Sequence, residues 1–164
     1  MDGLEREIVE LLPRLRRLAR ALARAPADAD DLVQVTVERA LVRRGQWRPG
    51  TRLDSWMFRI MKNAWIDESR ARTRRGALFA PEAAGEAVGD DGAAAMAARL
   101  AAREVETAMA RLPQDQRIAV ALVLVDGLSY QEAAEVLEIP AGTLTSRLVR
   151  GRAALLADLG EAAP

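Results

Sequence analysis

Apolar positions along this chain recur at steps of three and four, and that period sets the helices the sequence predicts. Ile8, Leu11, Leu12, Leu15, Leu18, Ala19 and Leu22 form a first stripe. Pro13 inside it marks a helix start or a kink, and Pro26 closes the segment. Leu32, Val33, Thr36, Val37, Ala40 and Leu41 form a second stripe. Asp28, Asp30 and Asp31 precede it, where the helix dipole favours negative charge, and Gly45 follows it as a C-terminal cap. A loop over 45–52, punctuated by Pro49 and Gly50, leads into a third helix over 53–72. This helix carries two apolar lines: Leu53, Trp56, Met57, Ile60 and Ala64 on one, Phe58, Met61 and Trp65 on the other. Over 76–93 the periodicity disappears into Ala, Gly, Pro and acids, the composition of a linker. Helices are then expected near 94–111, 114–126, 129–138 and 141–158. The run 118–125 has the continuity of a buried strand, yet it lies between a Leu112-Pro113 start and an Asp126-Gly127 stop, which suits a buried helix better.

These elements give an all-α chain of two small helical modules, 1–75 and 94–159, joined by a flexible acidic linker over 76–93 and ending in a short tail, 160–164. Composition narrows the chemistry. There is no cysteine and no histidine among the 164 residues, so thiolate or imidazole catalysis, disulfides and conventional zinc sites are excluded. No metal, cofactor or catalytic residue is therefore expected, and the chain is not read as an enzyme. Eight residues, 118–125, make the longest unbroken apolar run, against the roughly 20 a membrane helix needs. No apolar signal core follows the N-terminus, so the expectation is a cytoplasmic protein without membrane insertion.

The zero net charge conceals an asymmetry. Residues 1–76 hold 17 basic and 11 acidic side chains, 77–106 hold 2 and 6, and 107–164 hold 5 and 7. All basic residues but Lys62 are arginine, the side chain suited to forked contacts with phosphate and guanine. In the second module, Ser129-Tyr130-Gln131-Glu132 fits a capping box with Leu128 as staple. A short helix, a turn at Glu138-Ile139-Pro140 and a longer helix follow. The longer helix has Leu144, Leu148 and Leu155 on one face, Gly151 among them where backbones can approach, and Thr143, Ser146, Arg147 and Arg150 on another. This is the pattern of a helix-turn-helix whose polar face meets phosphates and base edges; a plain helical hairpin with solvated arginines is the alternative.

In the first module, Asp31, Gln34, Val35 and Glu38 share a face that the core stripe does not use. It is either an ordinary solvated face or a protein-docking face. The loop residues Trp47, Arg48 and Arg52, with Lys62 and Asn63 on the third helix, interleave rings and cations as single-stranded DNA binding requires. The competing reading puts all the aromatics in the core, which Trp47 between arginines fits least.

Residues 127–155, with Leu112-Pro113-Gln114-Asp115-Gln116-Arg117 before them, resemble region four of extracytoplasmic-function sigma factors. Residues 55–67 resemble region two of the same family, and 29–34 resemble its segment that binds the clamp helices of RNA polymerase. Thr145, Val149 and Gly151 depart from the family's usual residues. The resemblance implies that Thr143, Ser146, Arg147 and Arg150 meet the minus-thirty-five element, and that the 46–52 loop and Asn63 read the melted minus-ten element. It also implies that Asp31, Gln34, Val35 and Glu38 dock on core RNA polymerase, with promoter DNA and an anti-sigma factor as further partners. Two other readings stay open on the residues alone. One is a sigma-like decoy that binds an anti-sigma protein without DNA; the other is a dimeric repressor using only the helix-turn-helix.

Overall fold

The computed structural model describes residues 1–76 and 92–162; most of the expected linker, and the end of the tail, lie outside the described residues. Every regular element among the described residues is helical. Helix α1 spans Gly3–Leu22, α2 Pro26–Val42 and α3 Leu53–Arg74, with a 3-10 turn at Arg44–Gln46. Helix α4 spans Ala93–Arg111, α5 Gln114–Val120, α6 Tyr130–Leu137 and α7 Ala141–Ala162.

Several boundaries differ from the sequence reading for identifiable reasons. Helix α1 neither starts nor stops at Pro13, an exposed residue beside the half-exposed Val9. Pro13 costs α1 one backbone hydrogen bond at an exposed position, and the helix runs through it. It starts instead at a capping box: Glu5 N–H donates to Asp2 Oδ1 at 2.9 Å and Asp2 N–H to Glu5 Oε2 at 3.2 Å. Pro26, expected to close a segment, opens α2 at its first turn, where a missing N–H costs nothing. Gly45 does not cap α2. That helix ends at Val42, and the Arg44–Gln46 turn aims Arg44 back at the α1 cap, pairing with Asp2 at 2.9 Å and Glu5 at 3.1 Å. Helix α7 continues to Ala162, past the expected end near 158.

The run 118–125 is helical, as expected, but it changes pitch. Helix α5 widens into a π-helical turn over Ala121–Val125, closed by Asp126 N–H donating to Ala121 C=O at 3.0 Å. Gly127 follows at φ +73°, a conformation that favours glycine.

Helix α3 has two apolar lines because it is covered from two sides. It packs on α1 and α2 of its own module and on α6 of the second. Met57, Phe58, Ile60, Met61, Ala64 and Trp65 are all buried, while Trp56 is half-buried. Helix α1 likewise meets α4, α5 and the π-helical turn. The buried residues of the two modules form one continuous apolar cluster.

One ionisable group in this shared region stands out. The Asp126 carboxylate is fully enclosed, neither oxygen has a hydrogen-bond partner, and Arg14 Nε lies 3.9 Å away. Burial pushes its pKa from 3.8 to about 6, against the pull of Arg14 and Arg17 and with the help of Asp54. A carboxyl whose folded pKa is raised contributes its stability below the unfolded value and loses it as pH rises through the folded value. Replacing Asp126 by Asn should therefore stabilise the fold at neutral pH and not in acid. The stability gap between variant and parent, read by urea denaturation, should widen by up to about 3 kcal/mol between about pH 4 and pH 8. A gap that is flat across that range would contradict the enclosure.

Candidate nucleic-acid interface

The helix-turn-helix is built from its caps inward. Ser129 Oγ accepts from Glu132 N–H at 3.1 Å, starting α6, and Leu128 is buried as a staple should be. The reciprocal half of the expected capping box is absent, because the Glu132 side chain leaves the helix end to pair with Arg52 of the first module. Glu138 ends α6 in the left-handed region at φ 57°, and Ile139 N–H donates to Ala134 C=O at 3.1 Å to close the turn. Helix α7 then presents its face: Ser146 and Arg150 are exposed, Thr143 and Arg147 half-buried. All four lie on one side, opposite the buried Leu144 and Leu148. Arg147 Nε sits 3.6 Å from Asp115, so a phosphate would compete with that carboxylate. Thr145 turns its hydroxyl back onto Ala141 C=O at 2.9 Å. Val149, 60% exposed, stands on the same outer surface.

Gly151 holds this helix close to α5. A Cβ there would lie 2.9 Å from Val120 Cγ2 and 3.3 Å from the Gln116 carbonyl oxygen.

The residues expected to meet melted DNA are not equivalent. Asn63 and Arg48 are exposed, and Arg48 C=O accepts from Thr51 N–H at 3.1 Å and Thr51 Oγ1 at 2.6 Å, which fixes the loop. Trp47 is half-buried against the core, so the ring is partly a packing element. Its indole N–H is enclosed without a partner. Lys62 is buried, at 8% exposure. Arg52 is tied to Asp54 at 2.6 Å and to Glu132 of the second module. Burial raises the Asp54 pKa, but hydrogen bonds from Arg52, Arg14 and the Ser55 N–H outweigh it and hold the carboxyl below its ordinary value.

On α2, Asp31, Gln34 and Glu38 are exposed and Val35 is half-buried, with Gln34 Nε2 donating to Glu38 at 3.1 Å. This face forms one wall of a groove of about 1370 Å³. Arg70, Arg72 and Arg74 of α3 line a second wall, and Arg111 and Pro113 at the α4–α5 junction a third. Arg72 reaches across to Asp28 at 2.8 Å, and that hydrogen bond raises the guanidinium pKa. The α4–α5 wall was invisible to the sequence reading, since it exists only because the second module folds onto the first. Among the described residues no cluster of acidic side chains is arranged to hold a metal, and no helix is long and apolar enough to cross a membrane.

Comparison with known proteins places both modules. Residues 102–155 match the family described as sigma-70, region 4, and residues 8–62 match the sigma2 domain of PhyR. The ECF RNA polymerase sigma factor EcfG of Rhodopseudomonas palustris (strain TIE-1) is 36% identical, over 96% of this chain and 86% of that one. The ECF RNA polymerase sigma factor SigM of Mycobacterium tuberculosis (strain ATCC 25618 / H37Rv) is also 36% identical, over 89% of this chain and 71% of its own. Among solved structures, the sigma factor RpoE from Bartonella quintana, crystallised with the anti-sigma factor NepR, superposes with a TM-score of 0.83. It is 28% identical, and the match covers 98% of each chain.

The close α5–α7 approach gives a direct test of how α7 is held. Alanine at 151 would gain about 1 kcal/mol of helix propensity but must push Val120 and the Gln116 backbone aside. The expected balance for Gly151→Ala is a loss on the order of 1 kcal/mol in denaturant unfolding.

Proposed function

The chain belongs to the extracytoplasmic-function sigma factors of RNA polymerase, and on that footing we propose how its surfaces divide the work. It binds core RNA polymerase and directs it to particular promoters, while the polymerase carries out the chemistry; the chain has no catalytic residue of its own. It acts in the cytoplasm, in a stress or envelope response, under the control of an anti-sigma factor.

The α2 face of Asp31, Gln34, Val35 and Glu38 docks on the polymerase. The exposed face of α7 reads the upstream element as duplex, with Arg147 and Arg150 as forked donors and Thr143 and Ser146 as hydroxyl donors. Asn63 and the loop of Trp47, Arg48 and Arg52, with Lys62, hold the melted strand. A base taken from the stack costs a few kcal/mol, which rings and cations at this loop offset. The observation that carries the reading is the joint match of both modules, in order, to the sigma2 domain of PhyR and to sigma-70 region 4, together with relatives 36% identical over most of the chain. A repressor using the helix-turn-helix alone would leave the first match without a role. A decoy that never meets DNA would leave the exposed Ser146–Arg150 face without one.

Asp31→Arg combined with Gln34→Ala should abolish assembly with core polymerase, read by native gel or pull-down, while leaving helicity and unfolding midpoint unchanged, because both side chains are exposed. Normal assembly by the double variant would remove the docking assignment.

The melted-strand role is tested separately. Holoenzyme carrying Asn63→Ala should bind duplex promoter normally yet form fewer open complexes, and a pre-melted bubble template should restore much of the loss. Equal defects on both templates would place Asn63 elsewhere in initiation.

A further inference from the structure

The second half of α1 and the residues just after it carry charge of one sign. From Pro13 to Ala27 the chain has Arg14, Arg16, Arg17, Arg20 and Arg24 and no acidic residue. Arg14 turns inward, to Asp54 at 3.0 Å and over the Phe58 ring. The other four are exposed, and none of them forms an ion pair or a side-chain hydrogen bond among the described residues. Helical phase puts Pro13, Arg16, Arg17 and Arg20 on one side, opposite the buried Leu15, Leu18, Ala19 and Leu22. Arg17 acts on Asp126 through space, but that carboxylate is fully enclosed. Arg24 adds its own positive field at the buried Arg117.

Local helix chemistry does not account for this face. Arg20 stands in the last turn, where the dipole favours a cation, but Arg16 and Arg17 lie before that turn. At steps of four and three they repel Arg20. Elsewhere the chain gives exposed arginines a carboxylate, as at Arg39–Asp67, Arg44–Asp2 and Arg72–Asp28. Here the repulsion is left standing. We infer that this face of α1 binds the phosphate backbone of duplex promoter DNA, as a contact separate from the residues that meet either promoter element. Arginine forks match phosphate oxygens two at a time. Helix α1 has no aromatic ring to stack on an unpaired base and no Asn, Gln, Ser or Thr to read a base edge, so it suits a duplex backbone. Between Pro13 and Arg24 no large apolar side chain is exposed, so the face lacks the apolar centre of a protein interface.

Holoenzyme on a promoter duplex gives the test. Arg16→Gln with Arg20→Gln removes two cations at exposed positions and relieves their repulsion, so the fold should be kept. The slope of log affinity against log salt should flatten by about 1.8, or about 0.9 for each lost phosphate contact. The parent's advantage in affinity should then be about tenfold larger at about 50 mM salt than at about 200 mM. Arg6→Gln with Arg43→Gln removes the same charge from exposed positions elsewhere and should leave the slope within about half a contact of the parent's. The loss should be equal on promoters with an intact and an altered upstream element, because phosphates carry no sequence. A second measurement keeps all the arginines. The chain has no cysteine, so an iron chelate tethered at Pro13→Cys, in the middle of the face, should cut the promoter within duplex DNA. An unchanged slope overturns the inference, and so does equal flattening by the control pair. A loss confined to one upstream sequence would make the arginines base readers and overturn it too. Weakened assembly with core polymerase at unchanged slope would assign the face to an acidic protein surface instead. No cuts, or cuts confined to the melted stretch, would also overturn it. Failure of the α7 assignment is a separate result, seen as unchanged promoter discrimination by holoenzyme carrying Arg147→Ala with Arg150→Ala.

Discussion

The closed arrangement depends on one buried guanidinium. Arg117 donates to Leu22 C=O at 3.3 Å, Ala110 C=O at 2.7 Å and Leu112 C=O at 3.0 Å, and lies over the Trp65 ring at 5.9 Å. Those carbonyls lie at the C-terminal ends of α1 and α4, the negative ends of two helix dipoles. Trp65 Nε1 donates to the same Leu22 oxygen at 3.1 Å, so α1, α3, α4 and α5 meet around a single charge. Burial and the nearby Arg24 lower the Arg117 pKa, yet an arginine stays charged where lysine would be at risk of neutralisation. Its Nε finds no partner, so the site is built from carbonyls and a ring, without a carboxylate that would neutralise it.

That hub explains what the sequence could and could not show. The helices were legible because their apolar stripes are local: Leu15, Leu18 and Leu22 are buried as their spacing requires, and so are Leu144 and Leu148. The second apolar line on α3 was legible as an anomaly, and in the structure α3 is covered by α1 and α2 of its own module and by α6 of the second. Arg117 itself read only as part of a family motif. Nothing in a single arginine after Gln114-Asp115-Gln116 signals that it reaches the end of a helix 95 residues earlier. The end of α2 and one half of the α6 capping box were misjudged, each where a side chain took a distant partner. Arg44 at the α1 cap and Glu132 at Arg52 are both long-range pairs that propensity cannot anticipate.

The candidate sites divide along the same line. The α7 face and the α2 face are periodic surfaces of single helices, and each is found on one side of its helix, largely exposed. The melted-strand group combines a loop with one helix, and there the sequence ranked residues by type alone. Burial separates them: Asn63 and Arg48 are open, Trp47 is half in the core, and Lys62 is covered. Residue type says what a side chain can do, and only packing says whether it is presented.

Arg52 shows how tightly these demands interlock. It belongs to a chain of charges that runs from Asp126 through Arg14 and Asp54 to Arg52 and then Glu132. Arg14 also lies 5.1 Å from the Phe58 ring, deep in the first module. The chain begins with an enclosed carboxylate that lacks hydrogen bonds and ends at half-exposed pairs on the surface. Its inner end disfavours closure at neutral pH, because separation of the modules would give Asp126 back to water. Its outer end is a half-exposed pair that favours closure weakly and is screened by salt. A protein that only needed two modules held together would gain by replacing Asp126 with an apolar residue and leaving Arg52 free. Retaining both makes the contact between the modules strong around Arg117, where the donors are buried, and weak beyond it, where the ion pairs are half-exposed.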